Sequence, residues 1–147
     1  MPTDLQPAVA GLEPLIGDWT IEVSIAPPGV HATCSFEPVM GGAFVLQRSE
    51  VPEPFPSGLC VLAPNGDGDG YTQHYFDSRG VVRVYAMTFE NGVWTLERTE
   101  ADFTPLSFAQ RYRGTFTDDG NAIEGAWESR HEGADWELDF ELTYRRA

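Results

Sequence analysis

The stretch Tyr71–Glu100, YTQHYFDSRGVVRVYAMTFENGVWTLERTE, decides the fold. Apolar and polar residues alternate through it, and two glycine-bearing connections, Ser78-Arg79-Gly80 and Asn91-Gly92, break the alternation. A period of two with turn-length gaps is the signature of consecutive antiparallel hairpins. Asn91-Gly92 suits a type I′ turn, whose twist matches that of its flanking strands. This sets Phe89 opposite Trp94, Met87 opposite Leu96, Tyr85 opposite Arg98 and Arg83 opposite Glu100. Ser78-Arg79-Gly80 reads as a three-residue loop with Gly80 in the left-handed bulge position, which pairs Tyr75 with Arg83, Gln73 with Tyr85 and Tyr71 with Met87. All of these side chains fall on one face.

The same arithmetic extends toward the C-terminus. A turn at Asp119-Gly120 pairs Phe116 with Ile123, Tyr112 with Trp127 and Gln110 with Ser129; a one-residue slip would set Arg111 against Trp127. A turn at Glu132-Gly133 is expected to pair Trp127 with Leu138, Ile123 with Leu142, and Gly125 with Phe140, whose ring would cover the bare glycine. The last strand then points Trp136, Leu138, Phe140, Leu142 and Tyr144 inward, and Asp135, Glu137, Asp139 and Glu141 outward. The opposite faces of the middle hairpins, Thr72, His74, Phe76, Val82, Val84, Ala86, Val93, Thr95 and Thr99, are read as outer. Toward the N-terminus, alternation runs back through GLCVLA, AFVLQRSEV and VHATCSFEPV to WTIEVSI. The sum is an all-β, antiparallel up-and-down barrel of about ten strands. Before it, Leu5, Val9, Leu12, Leu15 and Ile16 recur at near-helical spacing, interrupted by Pro7 and Pro14, and predict a short helix or two turns that cap one end. The expected organisation is one domain, with residues 1–18 as cap and 19–147 as barrel.

Composition narrows the partners. Nine basic against 23 acidic side chains give a formal charge of −14, which repels nucleic acid and anionic membranes. Much of the negative charge is the solvated exterior of the strands. All nine basic residues are arginine, so Schiff-base and pyridoxal-phosphate chemistry, which need a lysine amine, are excluded. The opening MPTDLQPAVAGLEPLIG has neither a basic n-region nor a long apolar core, and a cytoplasmic location is expected. Cys34 and Cys60 fall on different strands without metal-binding spacing and read as two buried thiols.

Two segments invite a family comparison. LIGDWTIEV, a Gly-x-Trp entering the first strand after a short helix, resembles the start of lipocalin and fatty-acid-binding-protein-like barrels. FEPVMGGAFVLQRSE and YTQHYFDSRGVVRVYAMTF resemble the uncharacterised DUF1579-type bacterial proteins of the lipocalin-like (calycin) class. The resemblance implies a barrel with a small-molecule cavity and no established activity. It also implies that Arg145 or Arg146 stacks on Trp19. Nitrobindin-like haem proteins are similar barrels that begin with Gly-x-Trp and use a late histidine, but here the continuation TIEVSIAPPG departs from theirs, and the late histidine is His131, at the mouth of the last hairpin.

The inward face carries one polar cluster among aromatics. Arg83, Tyr85, Arg98, Tyr75 and Gln73 gather with Glu100 at the edge and Gln110 and Tyr112 on a neighbouring strand. Desolvated arginine is costly unless it is paired. Two readings follow. In one, the guanidiniums clamp the polar or anionic head of a ligand whose apolar part lies on Trp94, Trp127, Phe140 and Leu138. In the other, Arg83 pairs with Glu100 and Arg98 stacks on Tyr85 inside a filled core. The leading expectation is a non-enzymatic binder of a mainly apolar small molecule, with no cofactor, no metal and no catalytic residue assigned. The alternatives are a tetrapyrrole binder with His131 or His74 as axial ligand, an enzyme using Arg83, Tyr85 and Arg98 on a carbonyl or carboxylate, and a self-associating scaffold, for which a homodimer is the natural form. NGDGDG at 65–70 resembles a calcium loop, but its twelfth position is Phe76 where a bidentate Glu is needed. HEGAD at 131–135 is not a zinc motif.

Overall fold

Ten strands follow one another in chain order: β1 (Gly17–Val23), β2 (Ala32–Val39), β3 (Phe44–Glu50), β4 (Gly58–Pro64), β5 (Tyr71–Asp77), β6 (Val82–Glu90), β7 (Val93–Arg98), β8 (Ala109–Phe116), β9 (Ala122–Arg130) and β10 (Glu137–Arg146). Each pairs antiparallel with its neighbours, and β1 pairs with β10, so the meander closes into the barrel that the alternation predicts. This computed structural model describes residues 4–26, 30–66, 70–101 and 106–147. Asp67 and Asp69 of the calcium-like loop lie outside them.

The turn chemistry sets the registers of the middle hairpins. Asn91 (φ 52°) and Gly92 (φ 74°) both adopt left-handed backbone, as a type I′ turn requires, and Phe89 faces Trp94 with Met87 facing Leu96. Gly80 (φ 82°) takes the bulge position, and Tyr71, Gln73 and Tyr75 face Met87, Tyr85 and Arg83. Across β8 and β9, Tyr112 faces Trp127 and Phe116 faces Ile123.

The last hairpin departs from expectation. The register shifts between Leu138 and Phe140, so Phe140 faces Trp127, Leu142 faces Gly125 and Tyr144 faces Ile123. A β-bulge adds one residue to one strand and flips the alternation beyond it. Phe140, Leu142 and Tyr144 therefore point inward as expected, whereas Leu138 lies outside at 63% exposure. Trp136 also lies outside, stacked between the guanidiniums of Arg111 (4.1 Å) and Arg130 (5.0 Å). Gly125 is covered not by Phe140 but by Tyr112. Gly114 and Gly125 pair across β8 and β9, and Tyr112 lays its ring over both, its hydroxyl donating to the Leu142 carbonyl at 3.3 Å.

One end of the barrel is solid. Trp19, Phe36, Val45, Leu62, Met87, Trp94 and Ile123 fill it, and a 3₁₀ helix over Pro7–Leu15 closes it with Val9, Leu12 and Leu15. The helix is anchored to the strand it precedes: Trp19 Nε1 donates to the Leu15 carbonyl at 2.9 Å. Arg146, of the two candidates, stacks its guanidinium 4.1 Å from the Trp19 ring centroid, and its Nη1 donates to the Ile16 carbonyl at 2.9 Å. On the outer wall, Leu59 and Phe76 are cross-strand neighbours and both are exposed. Among the described residues no helix is long and apolar enough to cross a membrane.

Candidate functional site

Above the solid end the barrel is hollow. A cavity of about 450 Å³ opens between the connections at the far end of the strands, a size suited to a small organic molecule. Its floor is Gln47, Gln73, Tyr85, Leu96 and Tyr144, and its aromatic wall is Trp127 and Phe140. Toward the mouth, Val51, Phe55, Pro56 and Phe108 make an apolar collar, with Ile25 58% exposed at its edge.

Seven of the residues singled out in sequence line this cavity: Gln73, Tyr75, Arg83, Tyr85, Gln110, Trp127 and Phe140. Arg98, Trp94 and Tyr112 lie outside the lining. Trp94 and Tyr112 belong to the packed half, ring against ring at 5.4 Å, and Arg98 is buried on the inner row opposite Gln110. Glu100 is exposed and beyond the end of β7, so it does not reach the position opposite Arg83 that the turn arithmetic gives it. The arithmetic fails there because the β6–β7 ladder stops at Ala86 opposite Glu97, before the expected pairs of Tyr85 with Arg98 and Arg83 with Glu100.

Arg83 is the cation of the inner wall, with Arg79 at the rim. Its Nη1 donates to Gln110 Oε1 at 3.2 Å, and the Tyr85 hydroxyl donates to the same oxygen at 3.1 Å. Its Nε is buried without an acceptor, and among the described residues no carboxylate pairs with it. Burial pushes the Tyr85 phenol up, against the downward pull of Arg83 and Arg98. Burial raises the Tyr144 phenol as well. Cys34 and Cys60 are free and buried, the Cys34 thiol pushed up to about 11 and that of Cys60 further, so both stay protonated at neutral pH. The charged groups of the lining are thus two guanidiniums, Arg83 on the inner wall and Arg79 at the rim, the latter paired with Asp77.

At the rim, the Tyr75 hydroxyl donates to Asp77 Oδ2 at 2.8 Å and Arg79 Nη2 donates to the same oxygen at 2.7 Å, while the Arg79 and Val81 backbone N–H groups donate to Oδ1. Burial raises the Asp77 carboxyl, but the hydrogen bonds from Arg79 and Tyr75 outweigh it and hold the group at about 2. Its folded value lies below the ordinary 3.8, so its contribution to stability is complete above about pH 4 and lost as the pH falls through 2. Asp77→Asn is therefore expected to be less stable than the parent at pH 7, with the gap closing between pH 4 and pH 2. Urea midpoints across that range measure it, and a constant gap would mean that the charge contributes nothing.

The histidines stand away from the cavity. His74 faces outward on β5 with a ring nitrogen 3.2 Å from Thr72 Oγ1, His31 is exposed ahead of β2, and His131 lies against Phe108 with ring centroids 5.4 Å apart. Among the described residues no histidine lines the cavity, so the lining offers a tetrapyrrole no imidazole, and no group of three or more His, Cys, Asp or Glu is placed to hold a metal.

The lining also includes residues that the turn arithmetic does not reach: Ile21, Ala32, Gln47, Ser49 and Cys60. Their strands are not joined by two- or three-residue hairpin turns of the kind that set the register of the middle hairpins. The usable signal is the phase of β1, where Trp19 and Ile21 recur two apart, carried round the barrel by pairing.

The crystal structure of Rv2717c from M. tuberculosis is similar over 98% of this chain and 99% of that one, with a TM-score of 0.62 and 17% sequence identity, a likeness of fold. No protein-family model matches the chain, and no curated protein matches its sequence.

Proposed function

We propose that this protein is a non-enzymatic binder of a small, mainly apolar molecule with an anionic head, held in the open half of a lipocalin-like, DUF1579-type barrel. The observation that carries the reading is Arg83, a guanidinium on a cavity wall with a buried Nε that has no acceptor and, among the described residues, no carboxylate partner. An arginine left this way is costly unless a ligand completes it. Carboxylates are the natural complement, because a guanidinium offers them two parallel N–H donors. Trp127, Phe140 and Leu142 supply the apolar wall for the remainder of the molecule. The lining chemistry is that of recognition: amides, phenols kept neutral and a protonated thiol beside Arg83, with Arg79 paired to Asp77 at the rim. Free buried cysteines accord with work in a reducing cytoplasm.

Native mass spectrometry of the purified protein tests the reading. The expected spectrum contains, beside the bare chain, a species heavier by one small acidic molecule that organic extraction removes and that decanoate replaces. A protein that neither carries such a mass nor takes up decanoate at millimolar concentration contradicts it.

A further inference from the structure

The cavity offers a second polar contact next to the first. Gln73 donates one amide hydrogen to Gln47 Oε1 at 2.9 Å, and among the described residues its side-chain carbonyl oxygen has no partner. Gln73 is 3% exposed, yet it lines the cavity. That oxygen is an acceptor on the cavity wall that a ligand's hydroxyl can meet. Gln73 and Arg83 are neighbours. Gln73 faces Tyr85 and Tyr75 faces Arg83, so Gln73 and Arg83 are diagonal partners on one inner face, with backbones roughly 7–8 Å apart and side chains projecting into the same space.

Resting on the reading above, we propose that the ligand is a hydroxylated carboxylic acid in which the hydroxyl sits a few atoms from the carboxylate. The carboxylate is held by Arg83, the hydroxyl donates to Gln73 Oε1 one pair deeper in the barrel, and the hydrocarbon remainder lies against Trp127, Phe140 and Leu142. A plain fatty acid would leave the Gln73 carbonyl unanswered, and an acid with a hydroxyl at its far end would place that group away from Gln73.

The test compares decanoate, 3-hydroxydecanoate and 10-hydroxydecanoate by isothermal titration calorimetry on the intact protein and on Gln73→Leu. The expected result is that 3-hydroxydecanoate binds roughly three- to tenfold more tightly than decanoate, the range of one neutral hydrogen bond, and that 10-hydroxydecanoate gains nothing. In Gln73→Leu the advantage disappears while decanoate still binds. Equal binding of decanoate and 3-hydroxydecanoate by the parent protein overturns this proposal and leaves the anion-head reading standing, as does an advantage that persists in Gln73→Leu. If none of the three acids binds, both readings fall. The comparison within the parent protein can overturn the proposal even if Gln73→Leu does not fold.

Discussion

Arg83→Met is expected to weaken decanoate binding roughly 10- to 100-fold, the range of hydrogen bonds to a charged group, while strand content stays unchanged by circular dichroism. The same substitution should raise the urea midpoint. Arg83 donates from Nη1 to Gln110 and leaves its buried Nε unbonded, so removing the charge relieves a desolvation cost of about 1 kcal/mol. Methionine keeps the length of the side chain and spares the cavity a void. Opposite signs for affinity and stability are what separate a binding group from a structural one. If Arg83 were part of a filled core's ion pairing, the variant would lose stability and decanoate would be indifferent to it. Titration by Trp127 emission suits the affinity measurement, since that ring lines the cavity 5.5 Å from Tyr85.

Gly125→Ala is expected to lower stability by about 2–3 kcal/mol, the upper range for overpacking, and to lower the melting temperature by about 4–12 °C. The methyl group would press into the Tyr112 ring and stand 2.7 Å from the Arg113 carbonyl oxygen, which is backbone and cannot turn aside. Gly114→Ala meets the same ring, 2.6 Å from its hydroxyl, and also Ile123. Adding Tyr112→Phe removes the hydroxyl nearest the new methyl and should return part of the loss. A double-mutant cycle measures this coupling; strict additivity would show that Tyr112 is not the obstacle.

How far the sequence carries the structure depends on where its turns are short. Asn91-Gly92 and Ser78-Arg79-Gly80 admit few backbone geometries: all three pairings read from the second are present, and from the first Phe89 with Trp94 and Met87 with Leu96 are present, while the β6–β7 ladder ends at Ala86 opposite Glu97, before Tyr85 and Arg98. The Glu132-Gly133 turn misleads because the bulge before Phe140 lies inside the strand, where alternation of Leu138, Phe140 and Leu142 looks unbroken. Nothing in the residue pattern marks it, since Asp139 is as acceptable outside as it is at a bulge. In β3 the sequence assigns no face. Phe44 and Leu46 are as apolar as Val45, yet it is Val45 that is fully buried and Gln47 that is 4% exposed, with Gln47 at the cavity floor. Local preference is overridden where the interior needs a polar group, which is where binding surfaces depart from simple patterning. Arg83, Tyr85 and Gln110 were legible because they follow from turn arithmetic alone. Gln47 and Cys60 were not, because the long connections around them hide the phase.

The seam between β1 and β10 has a bearing on how the protein is made. Thr20 Oγ1 bonds the Arg145 carbonyl across 125 positions, and Arg146 reaches back 130 to Ile16. Such distant partners cannot meet on a ribosome until the final strand has emerged, so every nascent form is an open sheet with two unpaired margins. Those margins are the molecule's period of greatest exposure to mispairing with other chains, and it ends only when the last ten residues dock.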